Sequence, residues 1–405
     1  MKNLKRFFAI GLAVVTAAAC LTACGSDSSS TTTAANSEGT EAAADSTATG
    51  TAFKIGGTGP LTGAAAIYGN AAKNGAQIAV DEINALGGDI QFELNYQDDE
   101  SDAEKAVNAY NSLKDWGMQL SLGSVTSTPA AATASEEYTD RIFALTPSAS
   151  APAVISGKDN VFQMCFSDPN QGSASAQYIK ENNLGTKIAI IYQNDIDYSK
   201  GIYDKFVTEA ETLGLNIVST TTFTADTQSD FTVQLTEAKN AGADLVYLPI
   251  YYTPASLILQ QADAMGYDVT YFGVDGMDGI LTLEGFDTSL AEGVMLLTPF
   301  NADATDEKTA SFVEKYEEAY GDTPNQFAAD AYDCIYAYYQ AIQACGATPD
   351  MTAQDLCDLM ISTFTSSDFT FDGLTGEGMT WDTTGAVSKQ PKGMKIENGA
   401  YVGLD

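Results

Sequence analysis

The sequence predicts an α/β fold of two doubly wound units, and three features of the chain support this prediction. Short apolar segments alternate with segments of helical periodicity along most of the chain after Phe53. Several of these short segments, such as 188–191 (Ile-Ala-Ile-Ile), are apolar at every position, which is typical of strands in a parallel sheet covered by helices. About 350 residues follow Phe53, more than one typical core holds, so we expect two domains.

Strands are expected where short apolar runs end at glycine, proline or polar residues. They are predicted at 53–57, 91–96, 119–123, 142–146, 187–192, 216–219, 244–249, 270–273 and 293–298. Helices are expected where apolar residues recur every three or four positions. They are predicted at 70–86, 103–116, 198–213, 231–241, 306–320 and 326–344. In such folds ligands bind at the carboxyl ends of the strands, near helix N-termini.

The N-terminus has the three parts of an export signal. Basic residues at positions 2, 5 and 6 precede an apolar run at 7–19, which is shorter than the roughly 20 residues of a membrane span. The run ends in Leu-Thr-Ala-Cys24, which resembles the lipobox of bacterial lipoproteins, whose cysteine is acylated after cleavage before it. We therefore expect a signal peptide at 1–23 and a lipid on Cys24. The alternative is an ordinary secretory peptide cut nearby.

The segment at 24–52 is dominated by Ser, Thr, Ala, Gly and acidic residues and contains no aromatic residue. Such a composition does not bury enough surface to fold, so we expect it to act as a tether behind the acylated cysteine. A lipid anchor of this kind places the protein on the outer face of the cell membrane, as in Gram-positive surface lipoproteins.

Charge and residue usage argue against several classes of protein. The net charge of −35 argues against a nucleic-acid partner, because phosphate backbones are bound by basic residues. The chain has no histidine, which rules out Ser-His-Asp and Cys-His catalysis and argues against zinc. The cysteines of the body are Cys165, Cys334, Cys345 and Cys357. Two alternatives stay open for them: a disulfide between Cys345 and Cys357, or four separate thiols in the core. We expect no cofactor, no metal and no enzyme activity.

Two motifs of types that can carry chemistry do not predict a catalytic or cofactor site. The sequence Gly-Thr-Gly-Pro-Leu-Thr-Gly at 57–63 lacks the spacing of a dinucleotide loop, and Pro60 removes an amide donor. The run Asp98-Asp99-Glu100 is interpreted as a solvated face of a strand-end loop, with a cation site as the alternative.

Two polar segments follow neighbouring predicted strands. They are Ser-Val-Thr-Ser-Thr at 124–128 and Pro-Ser-Ala-Ser-Ala at 147–151, and each precedes a predicted helix. Their amides and hydroxyls are expected to converge on an anion such as a carboxylate. Ordinary helix capping is the alternative for each segment taken alone.

An ordered set of short motifs extends over nearly the whole body of the chain. It includes Ile-Gly-Gly-Thr-Gly-Pro-Leu-Thr-Gly at 55–63, Ile-Asn-Ala-Leu-Gly-Gly at 83–88, Leu-Thr-Pro-Ser-Ala at 145–149, Asp-Pro-Asn-Gln-Gly at 168–172 and Gly-Leu-Thr-Gly at 373–376. The chain resembles the type I periplasmic binding proteins, in the branched-chain amino acid receptor family of ABC transporters. The resemblance implies two α/β lobes with a three-segment hinge, lobe one at 53–170 and 301–380 and lobe two at 171–300 and 381–405.

The resemblance also implies which polar residues contact a ligand. Ser127 matches the hydroxyl residue that meets the ligand carboxylate, Ser148 falls where a main-chain group is used, and Ser150 falls where a threonine hydroxyl completes that anchor. Asp275 matches the acidic residue that pairs with the ligand ammonium, although the leucine-type receptor has Glu there. Thr126 stands where the family has Cys.

Four aromatic residues are implied to surround the ligand. Tyr68 matches an aromatic beside the ligand side chain, Tyr198 and Tyr251 match tyrosines of the second lobe, and Phe327 matches a wall residue. Without the resemblance, Tyr68, Tyr251 and Phe327 would be interpreted as core residues, and Asp275 as a turn residue.

The function implied is that of a monomeric, lipid-anchored receptor of an ABC importer. It would capture an amino acid, branched-chain or otherwise apolar, and deliver it to a membrane permease with its ATPase subunits. The alternatives are a receptor for a small amide, urea or another carboxylate, a ligand sensor for a signalling partner, and an extracellular enzyme. The identity of the ligand side chain stays open.

Overall fold

The computed structural model describes residues 52–404, which form two parallel-rich sheets flanked by helices. The first sheet contains β1 (Phe53–Gly59), β2 (Phe92–Asp98), β3 (Leu120–Ser121), β4 (Phe143–Thr146) and β5 (Val161–Gln163). Its five strands run parallel in the order β2-β1-β3-β4-β5. The segments at 124–128 and 147–151 follow the adjacent strands β3 and β4, so they lie at the same edge of this sheet.

The second sheet is longer and ends in a hairpin. It contains β6 (Ile188–Gln193), β7 (Ile217–Phe223), β8 (Leu245–Leu248), β9 (Thr270–Gly273), β10 (Met295–Thr298), β11 (Lys392–Glu397) and β12 (Ala400–Gly403). The order is β12-β11-β10-β9-β8-β6-β7. Strands β6 to β10 are parallel, whereas β11 and β12 are antiparallel to their neighbours.

Eleven helices are found between residues 52 and 404. They are α1 (Ala66–Ala85), α2 (Ala103–Trp116), α3 (Ser127–Asp140), α4 (Pro152–Ile155), α5 (Asp168–Glu181), α6 (Asp197–Leu213), α7 (Thr232–Ala241), α8 (Tyr252–Ala264), α9 (Glu307–Tyr320), α10 (Gln326–Cys345) and α11 (Ala353–Phe364). Helices α5 to α8 cover the second sheet and the others cover the first. None of these helices has the length and apolar character that crossing a membrane requires.

Local sequence explains where individual helices begin and end. Helix α2 starts after Asp102, whose carboxylate accepts a hydrogen bond from the Lys105 N–H at 2.9 Å. It ends at Gly117, which has a φ of 95° and so adopts the left-handed conformation that glycine tolerates. Asn325 caps α10 in the same manner, accepting hydrogen bonds from the N–H groups of Phe327 and Ala328.

Helices α1 and α10 approach each other closely on one face of the first sheet. A Cβ atom on Gly75 would lie 2.0 Å from the main-chain oxygen of Ala328, so only glycine fits at this crossing. The contact brings Tyr68 of α1 and Phe327 of α10 together, with 4.2 Å between their ring centroids. The packing of the first lobe therefore sets one wall of the cleft described below.

The chain passes between the two sheets three times, at 164–167, 299–306 and 388–391. This arrangement confirms the predicted fold of two α/β lobes joined by three segments. Before the third crossing, Gly385 accepts a hydrogen bond from the Gln163 N–H of β5 at 2.9 Å, and Trp381 donates one to the Gln163 main-chain oxygen at 2.8 Å. The lobe boundaries at 170, 300 and 380 remain predictions, and these hydrogen bonds favour a third boundary after Val387.

The four cysteines of the body are free thiols in the structure. Cys165, Cys334 and Cys357 are buried, and Cys345 is partly exposed. The predicted signal peptide, Cys24 and the tether lie outside the described residues.

Candidate functional site

The carboxyl ends of the two sheets face a common cleft, and the eight ligand-binding residues implied by the resemblance lie beside it. Seven of them are buried and Tyr251 is half-buried. The set runs from the first turn of α3, through the first crossing and the start of α5, to the loop after β9. Ring contacts join the four aromatic residues, and a hydrogen bond joins Tyr198 to Asp275.

The first group consists of hydroxyls from the first lobe. Ser127 occupies the first turn of α3, and its oxygen accepts a hydrogen bond from the Ala151 N–H at 3.2 Å, so its proton stays available for an acceptor. The hydroxyl of Ser150 is buried and has no hydrogen-bond partner among residues 52–404. Ser148 donates instead to the main-chain oxygen of Val125 at 2.7 Å, which leaves only its main chain for a ligand.

Helix α3 presents an uncapped N-terminus beside these hydroxyls. Its N-cap residue Thr126 makes no side-chain hydrogen bond to the helix, because its hydroxyl donates to Ser101 at 3.1 Å. The first N–H groups of a helix carry partial positive charge and lack partners within the helix. Together with Ser127 and Ser150, they form a set of donors suited to a carboxylate.

Asp275 supplies a carboxylate from the second lobe. It follows β9 in a short 3₁₀ turn, and its Oδ1 accepts a hydrogen bond from the Tyr198 hydroxyl at 2.5 Å. Burial raises the pKa of Asp275 to about 7, although the hydrogen bond from Tyr198 acts in the opposite direction. Gly276 donates its N–H to Tyr198 at 2.9 Å, and a Cβ there would lie 2.5 Å from the phenol oxygen. The turn therefore needs glycine at 276 to hold Tyr198 against Asp275.

Asp168 is a second buried carboxylate in the site, and it is not among the ligand-binding residues predicted from the sequence. Its N–H donates to the Ser150 main-chain oxygen at 3.0 Å, and this hydrogen bond places the start of α5 beside Ser150. The Ser150 hydroxyl lies beside the Asp168 carboxylate. Neither the hydroxyl oxygen of Ser150 nor the two carboxylate oxygens of Asp168 has a hydrogen-bond partner of normal geometry. Burial raises the pKa of Asp168 well above its ordinary value.

Gln171 lies in the same helix as Asp168 and contacts the main chain of Asp275. Its Oε1 accepts a hydrogen bond from the Asp275 N–H at 3.2 Å, while its Nε2 is buried without a partner among the described residues. Both Asp168 and Gln171 belong to the 168–172 motif, which contributes to the family resemblance but predicts no ligand contact by itself. In the sequence, an Asp-Pro pair at a helix start looks like ordinary helix initiation. Only the burial of Asp168 and Gln171 in the folded protein distinguishes them from helix-capping residues.

The two site carboxylates have no cationic partner, because neither forms an ion pair within residues 52–404. The buried lysine Lys389 lies near the third crossing, but its Nζ pairs with Asp330 at 2.6 Å and contacts the Thr375 hydroxyl. Buried charges without partners are strongly unfavourable, so Asp168 and Asp275 favour either a proton or a cationic ligand group. The described residues contain no cluster of His, Cys, Asp and Glu that would hold a metal ion.

Aromatic rings line one side of the site. The ring centroid of Tyr68 lies 4.2 Å from that of Phe327 and 5.3 Å from that of Tyr251. The ring centroids of Tyr251 and Tyr198 are 4.8 Å apart. The four rings therefore form one continuous wall that includes residues of both lobes. Such a wall suits the apolar part of a ligand.

The lobes are in direct contact across the cleft. Tyr68 of the first lobe donates its hydroxyl proton to the Gly276 main-chain oxygen and accepts the Tyr252 N–H at 3.3 Å. The Ile67 N–H donates to the Tyr252 hydroxyl at 3.2 Å, and Thr253 donates to the Ala64 main-chain oxygen at 2.7 Å. The structure is therefore a closed arrangement in which the site is shielded from water.

The acidic run at 98–100 is not a uniformly solvated face, contrary to the expectation from the sequence. Asp99 is fully buried, and its Oδ1 accepts a hydrogen bond from the Ser101 N–H at 2.9 Å. Asp98 accepts hydrogen bonds from the Leu61 N–H at 2.8 Å and the Thr62 hydroxyl at 2.6 Å, and only Glu100 is exposed. These carboxylates hold the loops beside α3, a role that depends on tertiary contacts and has no local sequence signal.

Hydrogen-bond donors, two carboxylates without ion-pair partners and an aromatic wall in one buried site suit a small zwitterion with an apolar side chain. The model of the periplasmic binding protein family matches residues 52–400 of this chain. The leucine-, isoleucine-, valine-, threonine-, and alanine-binding protein of Pseudomonas aeruginosa is 28% identical over 309 residues, covering 75% of this chain and 82% of that protein.

Solved structures show the same fold. The branched-chain amino acid transporter substrate-binding protein of Streptococcus pneumoniae, in complex with isoleucine, has a TM-score of 0.77 at 28% identity and covers 87% of this chain and 98% of its own. An ABC transporter solute-binding protein from R. palustris, in complex with benzoate, has a TM-score of 0.77 at 20% identity, covering 87% of this chain and 96% of its own, which shows the fold alone. This chain therefore belongs to the periplasmic binding protein family.

Proposed function

We propose that this protein is the amino-acid receptor of an ABC importer, a binding protein rather than an enzyme, with a branched-chain amino acid as its principal ligand. The observation that carries the proposal is that one buried site holds two carboxylates without an ion-pair partner, Asp168 and Asp275, together with the uncapped N-terminus of α3 and its Ser127 hydroxyl. An α-amino acid supplies the ammonium and the carboxylate that these two sets of groups lack. The branched-chain ligands of its relatives agree with the aromatic wall.

The energies of the contacts are sufficient for tight binding. Hydrogen bonds to charged groups contribute roughly 1.5–3 kcal/mol each. Three or four of them, less the ordering of the ligand, reach micromolar affinity, which corresponds to about 8 kcal/mol. Because Tyr68 and Tyr252 join the lobes only when the cleft is closed, a ligand that contacts both lobes favours the closed state. Closure then presents one recognisable state to a permease and its ATPase subunits.

A thermal-shift screen with the twenty amino acids, small amides, urea and benzoate tests the ligand. We expect leucine, isoleucine or valine to raise the unfolding temperature, since a ligand at 100 times its dissociation constant stabilises the native state by about 2.7 kcal/mol. A shift with amides or benzoate but with no amino acid would contradict the proposal. Unchanged ligand concentration after prolonged incubation with the protein is the expected result for a binder, and turnover would identify an enzyme.

The receptor is proposed to be held on the outer face of the cell membrane as a monomer, by a lipid on Cys24. The lipobox-like sequence before Cys24 supports this placement. Replacement of Cys24 by Ser is expected to move the protein from the membrane fraction to the medium, because the acylated thiol is lost. Ligand affinity should stay unchanged, since the site lies within residues 52–404. A Cys20→Ser variant is the matched control and should stay with the membrane; release of both variants would argue against lipidation at Cys24.

A further inference from the structure

A cavity of about 260 Å³ lies between the lobes on the outer side of the aromatic wall. We call it the outer cavity. Its polar lining comes from both lobes and consists of Ser101, Thr126, Thr128, Gln193, Gln228 and Thr253.

The outer cavity adjoins the candidate ligand site. Tyr251, a member of the aromatic wall, also lines the outer cavity, and Thr126 of the cavity directly precedes Ser127 of the donor set. A side chain that extends beyond the reach of leucine along Tyr251 would therefore enter it. Ile196 and Pro129, which also line the cavity, offer apolar surface for the methylene groups of such a side chain.

The lining favours an uncharged polar group. Glu100 is its charged member, and this carboxylate already pairs with Lys105 at 2.6 Å. No lysine or arginine lines the cavity, so a carboxylate at the end of the ligand would lack a partner. Hydroxyls and amides, in contrast, donate and accept hydrogen bonds with a neutral amide.

Two glutamines of the second lobe are free to take part. The side chain of Gln228 is half-buried and forms no hydrogen bond with residues 52–404. Gln193 is buried, and its Nε2 donates to Asp195 at 2.8 Å, which leaves its Oε1 as an acceptor. Both groups therefore have unused hydrogen-bonding capacity next to the cavity.

The first-lobe side of the cavity is held in a fixed and unusual conformation. Glu100 and Ser101 have φ values of 49° and 57°, two consecutive non-glycine residues in the left-handed region. The Asp99 carboxylate accepts a hydrogen bond from the Ser101 N–H, and the Thr126 hydroxyl donates one to the Ser101 hydroxyl oxygen. Conformations of this kind concentrate where a protein contacts ligands.

We propose that the outer cavity receives the uncharged polar end of a longer amino-acid side chain, so that glutamine-type amino acids are ligands in addition to branched-chain ones. The inference rests on the proposed function, because the α-ammonium and α-carboxylate are held by the same groups for both kinds of ligand. The aromatic wall then contacts the methylenes of the longer side chain, and the cavity contacts its amide.

Calorimetric titration of the full-length protein with matched ligands tests this inference. The side chains of glutamine and homoleucine have nearly the same shape, but glutamine ends in an amide and homoleucine in two methyl groups. Glutamate has a charged carboxylate in place of the amide of glutamine. We expect glutamine to bind about tenfold more tightly than homoleucine, since two net hydrogen bonds are gained. Glutamate should bind more weakly than glutamine. Homoleucine binding as tightly as glutamine, or glutamate binding more tightly, would overturn the inference.

A variant of the cavity separates its failure from that of the proposed function. Gln228→Leu should remove most of the preference for glutamine over homoleucine and leave leucine affinity unchanged. Gln177→Leu, at an exposed glutamine on α5, is the matched control and should keep the preference. If leucine binds but neither longer ligand does, the role proposed for the outer cavity is wrong and the proposed receptor function is not affected. If leucine also fails to bind, the proposed function itself is wrong.

Discussion

Replacement of Asp275 by Asn is expected to weaken amino-acid binding by about 30-fold to several thousand-fold. The carboxylate is buried, already holds the Tyr198 hydroxyl at 2.5 Å, and is proposed to pair with the ligand ammonium inside a closed cleft. Loss of one partner of a buried charge pair costs about 2–5 kcal/mol, because the other charge is left without compensation. Calorimetric titration with leucine and isoleucine measures the change directly.

Two further variants show whether the effect comes from charge. Asp275→Glu keeps the carboxylate and should retain most of the affinity, whereas Asp287→Asn, at an exposed carboxylate, should have no effect. The unfolding temperature without ligand reports whether Asp275→Asn still folds, and it should not fall, since a buried unpaired carboxylate is removed. Affinity within threefold of the unmodified protein would instead favour a ligand without an ammonium group, such as an amide or urea.

The sequence predicted the fold well where a local pattern extends over a long element. Helix α2 begins and ends at the predicted residues because Asp102 and Gly117 give strong start and stop signals. The strand β5 was missed, since three residues are too few to show a period. Helix α8 was also missed, because most of its residues are buried or apolar and its pattern lacks a polar stripe.

The candidate site was predictable from the sequence only in part. Ser127 and Ser150 stand out because polar segments follow adjacent strands, and strand order brings them together. Asp168 and Asp99 were not identified, since a carboxylate at a helix start or in an acidic loop is usually solvated. Their burial results from packing between segments distant in the chain, as in the hydrogen bond from Asp168 to Ser150 at 3.0 Å. Composition and periodicity do not report contacts of this kind.

Amino-acid affinity is expected to fall by about a hundredfold as the pH is lowered from 8 to 5. Burial raises the pKa of Asp275 to about 7, so the ligand-free protein carries a proton on this carboxylate at acidic pH. An ammonium ligand needs the ionised form, and below its pKa each pH unit therefore weakens binding about tenfold per proton released. At pH 8 the Asp275 carboxylate is already largely ionised, so its titration adds little to the affinity above that pH.

The effect of pH on stability should have the opposite sign in the ligand-free protein. A carboxylate whose folded-state pKa lies above its unfolded value stabilises the folded state at low pH, and this contribution is lost as the pH rises through the interval from about 4 to 7. Asp168, whose pKa burial also raises, acts in the same direction. The ligand-free protein should therefore lose stability over the interval in which its affinity increases.

Titrations at pH 6 in buffers of different ionisation enthalpy count the protons released on binding, and about one is expected from Asp275. Asp275→Asn should lower this number by about one and flatten the dependence of its residual affinity on pH. An affinity that is constant from pH 5 to 8, or that rises toward pH 5, would contradict the assignment of the buried carboxylates to the ammonium. Because Asp168 and Asp275 affect each other's pKa, a slope steeper than tenfold per unit would mean that both release protons to the same ligand.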